Sequence, residues 1–238
     1  MIEARKNGAV CAVILAAGSG TRMGLDKTKQ NLLIGTRAVL WRAVFAFEKC
    51  AEIDSIVVVC KQDEMETVRS MLSLDFKKIT SIVAGGKTRA ESAKIGFENR
   101  PNSSYYIAIH DCARCLITSD EIKNVVEAAR KFDAATAVTN VVDTVKQIDG
   151  EGMILSTLSR DALKLAATPQ IFRCELYSDA LSNSTKNEED LTDDNMLMET
   201  IGVAVKTVET SRYNIKVTTP EDIEYAEFVI KKRGELNV

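Results

Sequence analysis

The chemistry in this sequence begins at a run of small residues. Leu15-Ala-Ala-Gly-Ser-Gly-Thr-Arg-Met-Gly24 follows an apolar stretch, and Arg22, Lys27 and Lys29 fall within eight residues of one another. Backbone amides in a glycine-rich turn approach phosphate oxygens with no Cβ in the way. The cations supply fixed positive charge where a nucleoside triphosphate gathers negative charge during attack at its α-phosphorus. A Walker loop is excluded because it ends in Gly-Lys-Ser/Thr. A dinucleotide loop is excluded too: the third glycine falls one place late, and the second strand ends at Cys60-Lys61 where an acid is needed. On charge alone, a solvated run beside a structural turn explains the segment as well as a triphosphate does.

Two further clusters follow apolar runs: Gly85 to Arg89 and His110 to Arg114. Each has a purely structural reading. Gly85-Gly86 can be a turn entering a helix capped by Thr88, and Asp111 can cap the next turn. Arg114 reads as a surface cation and Lys216 as a solvent-facing strand residue. His110, Cys112 and Cys115 invite a metal or redox reading, but a structural zinc takes four ligands and no second pair is apparent.

The elements that must position these clusters alternate. Val10–Ala17, Ser55–Cys60, Ile79–Ala84, Tyr105–Ile109 and Ala134–Val138 read as strands, the first two buried on both faces. Ala38–Phe47, Gln62–Leu74, Arg89–Phe97 and Glu121–Phe132 read as helices. This βαβα order predicts an α/β fold with a mostly parallel sheet and helices on both faces, in one domain. Ligands of such sheets bind beyond the carboxyl ends of the strands, so the three clusters should meet on one edge. Val141 to Leu158 breaks the rhythm: two extended pieces flank Asp149-Gly150, a hairpin signal that predicts a projecting arm at about residues 141–160. The chain then returns through helix Cys174–Ser182, a polar loop at Asn183–Asp190, helix Asp193–Thr200, strands Val203–Val208 and Asn214–Val217, and a last helix from Pro220 capped by Thr219.

The 238 residues are 45% hydrophobic but only 5% aromatic, so aliphatic side chains must fill the core. A net charge of −3 lacks the basic surplus of a nucleic-acid binder. No apolar run reaches the ~18 residues of a membrane span. The first residues, Met1 to Gly8, are short and polar, and four of the six cysteines stand in or beside apolar runs; the expectation is a cytoplasmic protein with reduced thiols.

LAAGSGTRMG followed by KTKQ resembles the opening of the sugar-phosphate nucleotidyltransferases. Seven further segments, in order, resemble the 2-C-methyl-D-erythritol 4-phosphate cytidylyltransferases of isoprenoid synthesis: GGKTRAES from Gly85, IHDCAR from Ile109, VDTVK from Val142, TLSR from Thr157, ATPQIF from Ala167, TDD from Thr192 and NIKVTTPED from Asn214. The resemblance spans about residues 10 to 232. It implies a Rossmann-like three-layer αβα fold and transfer of CMP from CTP to the acceptor's phosphate with loss of pyrophosphate. Magnesium would be held mainly through the triphosphate, with no metal site built from protein residues alone. It also implies a homodimer that exchanges the arm. Carried onto this chain, Arg22 and Lys29 stabilise the α-phosphate. Ala16, Ala17, Gly18, Gly20, Gly85, Gly86, Arg89, Ser92, Asp111 and Cys112 bind the nucleotide. Asp111, Arg114, Thr144, Arg160, Thr168 and Lys216 bind the acceptor. Thr28, Asn31, Lys87, Cys112, Cys115, Asn140 and Ser159 depart from the family's usual residues, whereas every charged position assigned a role keeps its charge. Ribitol 5-phosphate is the rival acceptor, and Thr157-Leu-Ser-Arg160 favours methylerythritol phosphate. A silent nucleotide sensor is the rival of another class, opposed by the retained Arg22, Lys29 and Lys216.

Overall fold

A computed structural model of the chain describes residues 8–18, 29–184 and 190–236. The apolar run after Gly8 forms β1 (Ala9–Leu15), whose interior positions are all buried. A small hairpin follows, β2 (Leu33–Ile34) and β3 (Arg37–Ala38), which turns at Gly35 with φ +63°. Then come α1 (Val39–Lys49), β4 (Ser55–Cys60), a 3-10 turn at Gln62–Glu64 and α2 (Met65–Leu72). β5 (Ile79–Ala84), α3 (Arg89–Glu98), β6 (Ser104–Asp111), α4 (Ser119–Phe132) and β7 (Ala134–Asn140) continue the alternation. The arm carries β8 (Lys146–Ile148) and β9 (Ile154–Thr157). The chain closes with β10 (Lys164–Arg173), α5 (Cys174–Asn183), α6 (Asp194–Thr200), β11 (Lys206–Glu209) and α7 (Pro220–Lys232).

Seven strands form one sheet in the order β11-β7-β10-β6-β1-β4-β5, and every pairing except those of β10 is parallel. β10 was not foreseen. Its sequence, KLAATPQIFR, lacks alternation and holds a proline, which cannot donate to a ladder. The ladder tolerates Pro169 because the pairing with β7 breaks between Ala166 and Gln170, around the cis Thr168-Pro169 bond. β10 is antiparallel because the arm is the loop of a long β7–β10 hairpin. A parallel return needs a crossover of about a dozen residues or more, and none intervenes.

Alternate strand residues build the two cores. Val10, Ala12 and Ile14 face the side covered by α1, α2, α4 and α7, with Ile56, Val58, Tyr106 and Ala108 beside them. Cys11 and Val13 face the other side with Val57, Val59, Ile107 and Ile109, under α3, α5 and α6. The period-2 geometry of a strand thus gives the three-layer arrangement directly. No helix among the described residues is long and apolar enough to cross a membrane.

Two sequence expectations fail here. Asn214–Val217 is not a strand. Val217 N–H bonds the Ala113 carbonyl and the Asn214 carbonyl accepts from Arg114, so the segment is stitched to the loop after β6 rather than to a ladder. The strand expected at Val203–Val208 is Lys206–Glu209, because Val203 N–H closes the end of α6 on Met198. The arm's strands are also shorter than the alternation suggested, since residues 141–145 are irregular.

Gly96 sets the spacing between α3 and the sheet. A methyl group there would run into the side chains of Val13 and Val59. Overfilling a packed core costs about 1–3 kcal/mol. Gly96→Val should therefore lower the urea unfolding free energy by about 2 kcal/mol, read as a lower midpoint with an unchanged slope. An unchanged midpoint would show that this layer is loosely packed.

Candidate active site

The site centres on Asp111, the last residue of β6, which is 8% exposed. Its Oδ1 accepts from Arg89 Nε at 3.0 Å and its Oδ2 from Lys216 Nζ at 2.7 Å. Arg89 opens α3 and continues the chain of charge: its Nη1 donates to Asp194 Oδ2 at 2.7 Å. Asp194 opens α6, is buried, and takes the Tyr177 hydroxyl on Oδ1 at 2.8 Å. Gln170 of β10 accepts from the Asp194 N–H and donates to Asp193, whose own carboxylate caps α6 by accepting from Met196 N–H. The helices α3, α5 and α6, the strand β10 and the segment at Lys216 are therefore pinned at the carboxyl end of β6.

Burial sets the electrostatics. It opposes the charge on Asp111, but Arg89 and Lys216 outweigh it and hold the carboxyl well below the usual carboxylate range. Burial likewise opposes the charge on Arg89, and Asp194 with Asp111 outweigh it, so the guanidinium holds its proton more tightly than usual. Tyr177 is pushed well above the usual phenol range by burial and by Asp194, so it stays a donor. Lys216 is the accessible member, with 40% of its side chain exposed.

Arg114 stands on the neighbouring turn. Its Nη1 donates to the Asn214 carbonyl at 2.9 Å and its Nη2 to the Ala166 carbonyl at 3.2 Å. Asn214 in turn donates to the Thr168 carbonyl at 3.0 Å. Arg89 is neutralised between Asp111 and Asp194, whereas Arg114 spends its donors on carbonyls and Lys216 stands exposed, so these two keep positive charge to offer an anion.

The nucleotide-side positions form a second group. Ala16 and Ala17 end the β1 run, and Gly85 ends the β5 run two strands away. Gly85 lets them meet, since a Cβ there would stand 2.5 Å from the Ala17 Cβ and 2.8 Å from Ser92 Oγ. The Ser92 hydroxyl shapes this loop: it accepts from Gly86 N–H at 3.1 Å and donates to the Thr88 carbonyl at 2.9 Å. Thr88 does cap α3, accepting from Glu91 N–H. The amides of Ala16, Gly85 and Cys112 bond the carbonyls of Val59, Cys60 and Leu15, which fixes the floor from which Gly18 projects into solvent.

Gly20, Arg22 and Lys27 lie outside the described residues, as does the side chain of Lys29. Arg89, Asp111, Arg114, Thr168 and Lys216 come together as expected. Thr144 and Arg160 do not join them: both are exposed on the arm, where Arg160 donates to the Val142 carbonyl at 2.6 Å. Sequence reasoning missed Gln170, Asn214 and Tyr177. The first two lie inside quoted motifs; Tyr177 has no local signal, because its role exists only where α5 meets α6. Within the Thr192-Asp-Asp194 motif, Asp193 caps α6 and Asp194 anchors Arg89.

The six cysteines are free and buried, and among the described residues no group of three or more His, Cys, Asp or Glu could hold a metal ion. A magnesium ion typically takes one or two carboxylates and completes its shell with substrate phosphates and water. Asp111 fits the carboxylate part of that set.

A family model described as 2-C-methyl-D-erythritol 4-phosphate cytidylyltransferase matches residues 10–232. The chain belongs to that family. A member from Desulforamulus reducens is 38% identical over 95% of this chain and 98% of its own length. One from Endomicrobium trichonymphae is 39% identical over 92% of this chain and 98% of its own. Among solved structures, the 4-diphosphocytidyl-2C-methyl-D-erythritol synthase of Anaerococcus prevotii superposes with a TM-score of 0.84 at 29% identity, covering 96% of this chain and 99% of that one. The family's Thermus thermophilus structure gives 0.75 at 26%, covering 94% and 99%. The expected α/β fold with a mostly parallel sheet and a small separate hairpin is therefore the observed one.

Asp111 has a folded pKa below its unfolded value. Its ionisation therefore adds stability above the usual carboxylate range and loses it as pH falls through the lowered folded value. Asp111→Asn should weaken the protein near neutral pH and flatten the acid limb of its stability below about pH 4. Urea unfolding across that range checks it; an acid limb of unchanged slope would move the linkage to other carboxylates.

Proposed function

We propose that this chain transfers the cytidylyl group of CTP to the phosphate of 2-C-methyl-D-erythritol 4-phosphate and releases pyrophosphate. The observation that carries the acceptor side is the Asp111 cluster. It places an accessible Lys216 and a backbone-anchored Arg114 beside one carboxylate, at the end of the strand next to β1. A phosphate monoester is largely dianionic at neutral pH, so its oxygen attacks without a base. The new bond forms to the α-phosphorus, and the bond to the bridging oxygen of the β-phosphate breaks. The lone imidazole is buried and held neutral, which agrees with a reaction that needs no general base.

Arg22 and Lys29 are assigned to the charge that grows on the α-phosphate in the transition state. The Gly85–Gly86 turn, packed on Ala17, receives the base. Asp111 would hold magnesium together with the triphosphate oxygens, and the ion would offset the charge that separates with pyrophosphate. Asp111 also presents acceptor oxygens to the alcohol's hydroxyls. Supplied with magnesium and CTP, the protein should release pyrophosphate with methylerythritol phosphate and form the CDP-alcohol. Turnover with ribitol 5-phosphate alone would overturn the acceptor, and no turnover with either would favour a nucleotide sensor.

The arm is assigned to a two-fold partner. Val142, Ile148, Met153, Ile154 and Leu155 are all more than half exposed on it. The Asp149 carboxylate shapes its tip by accepting from Glu151 and Met153 N–H. A two-stranded ribbon is marginal alone, and this much exposed apolar surface calls for a cover. A second arm supplies it with the least invention, each subunit embracing the other. Thr144 and Arg160 would then serve the neighbour's site, which accounts for their distance from their own cluster in hydrogen-bonding terms. Lys29→Ala and Arg160→Ala homodimers should each be nearly inactive. Mixed dimers should regain activity, because one site collects both lesions and the other none. Failure of mixing to restore activity, or a monomer at working concentration, would refute the exchanged arm.

A further inference from the structure

The turn that carries Lys29 is gripped by a carboxylate from another part of the chain. Lys29–Asn31 is a single 3-10 turn. The chain just beyond it is fixed where α1 starts, since the Leu32 carbonyl accepts the Val39 N–H at 2.9 Å. The turn itself is held by Glu64. Gln30, only 3% exposed, donates from Nε2 to Glu64 Oε2, and Asn31 donates from Nδ2 to Glu64 Oε1 at 3.4 Å. The two residues after Lys29 are thus tied to the two oxygens of one side chain. Bonds to an ionised acceptor are the stronger kind, and a buried amide that loses its acceptor is left unsatisfied at a cost.

Glu64 is itself placed by β4. The 3-10 turn Gln62–Glu64 follows that strand, and Glu64 N–H bonds the Lys61 carbonyl at 3.1 Å. Glu64 is the N-cap residue of α2, yet its side chain caps nothing in that helix. The same strand end supports both parts of the nucleotide group. The Val59 carbonyl accepts the Ala16 N–H at 2.7 Å, and the Cys60 carbonyl accepts the Gly85 N–H at 2.8 Å. One strand end therefore sets the segment after β1, the turn after β5 and, through Glu64, the turn of Lys29.

We propose that Glu64 is a positioning residue, which fixes the backbone of Lys29 relative to Ala16 and Gly85. A lysine has a long flexible stem, and a fixed Cα leaves only side-chain freedom to lose when the ammonium meets the α-phosphate. The role rests on the assignment of Lys29 made above.

Hydrogen exchange tests the clamp without substrate. In Glu64→Ala, amides of residues 29–33 should exchange about tenfold faster, with those of β4 and α1 unchanged. Unchanged exchange at 29–33 overturns the proposal. Kinetics test the role. In Glu64→Ala, kcat should fall about thirtyfold with both KM values within about twofold, because a small misplacement of a catalytic group is costly. Glu64→Gln keeps an oxygen that accepts from Gln30 and should recover most of that loss. In a Lys29→Ala background, Glu64→Ala should cost less than about twofold more, since it acts through a group already removed. Equal losses in the two Glu64 variants, additive losses with Lys29→Ala, or KM increases in place of the fall in kcat each overturn the positioning role. If Lys29→Ala alone leaves kcat unchanged, Lys29 is not catalytic and the role of Glu64 falls with it. If the unaltered protein turns over no acceptor, the transferase reading falls, and the exchange measurement still decides whether Glu64 holds the turn.

Discussion

Asp111 is a carboxylate largely withdrawn from water, and a buried charge persists only when paired and hydrogen-bonded. Its partners come from far along the chain: Arg89 at the start of α3, and Lys216 in the irregular segment before α7. Arg89 is itself buried enough to need a second anion, which Asp194 supplies. Asp194 in turn needs Tyr177 and Gln170. Each pairing demands the next. The sequence of demands fixes α3, α5, α6 and the segment at Lys216 around the end of one strand.

The backbone beneath this charge network is held by neutral groups. Thr168, His110 and Asn214 bond one another or the turn from Asp111 to Arg114, and all three are nearly inaccessible to solvent. A low-dielectric setting strengthens such bonds and makes any unpaired member costly, so the arrangement is rigid as a unit. The unit rests on β10, the one strand that runs against the rest of the sheet. Its break in pairing at Thr168-Pro169 turns Thr168 toward β6 instead of keeping it in the ladder. The irregular register and the site are therefore one feature.

The accessible cation, Lys216, and the exposed loop beginning at Gly18 sit at the edge of this rigid floor. Reactions at phosphorus ask little covalent chemistry of a protein; they ask for position and charge. A floor that does not reorganise, with cations at its rim, matches that demand. It also explains why a single histidine, engaged in the scaffold, suffices for the chain.

Much of this was legible in the residues themselves. The β4 and β5 runs were read with their boundaries correct, because SIVVVC and ITSIVA are short apolar segments bounded by polar residues. The starts of α3 and α7 followed from Thr88 and Thr219, whose capping depends only on neighbours three residues away. The motif residues Asp111, Arg114, Thr168 and Lys216 could be named as a set. What the sequence alone could not give is anything carried by partners distant in the chain. β10 was invisible because its pairing, not its propensity, makes it a strand. Asn214–Val217 looked extended and is not a strand, since its backbone bonds go to Ala113, Ser211 and the Arg114 side chain. Asp194, Tyr177 and His110 acquired roles only when α5, α6 and β10 closed on β6. Local chemistry sets where a helix or strand begins; the destination of a buried polar group depends on which groups the folded chain brings within about 3 Å of it.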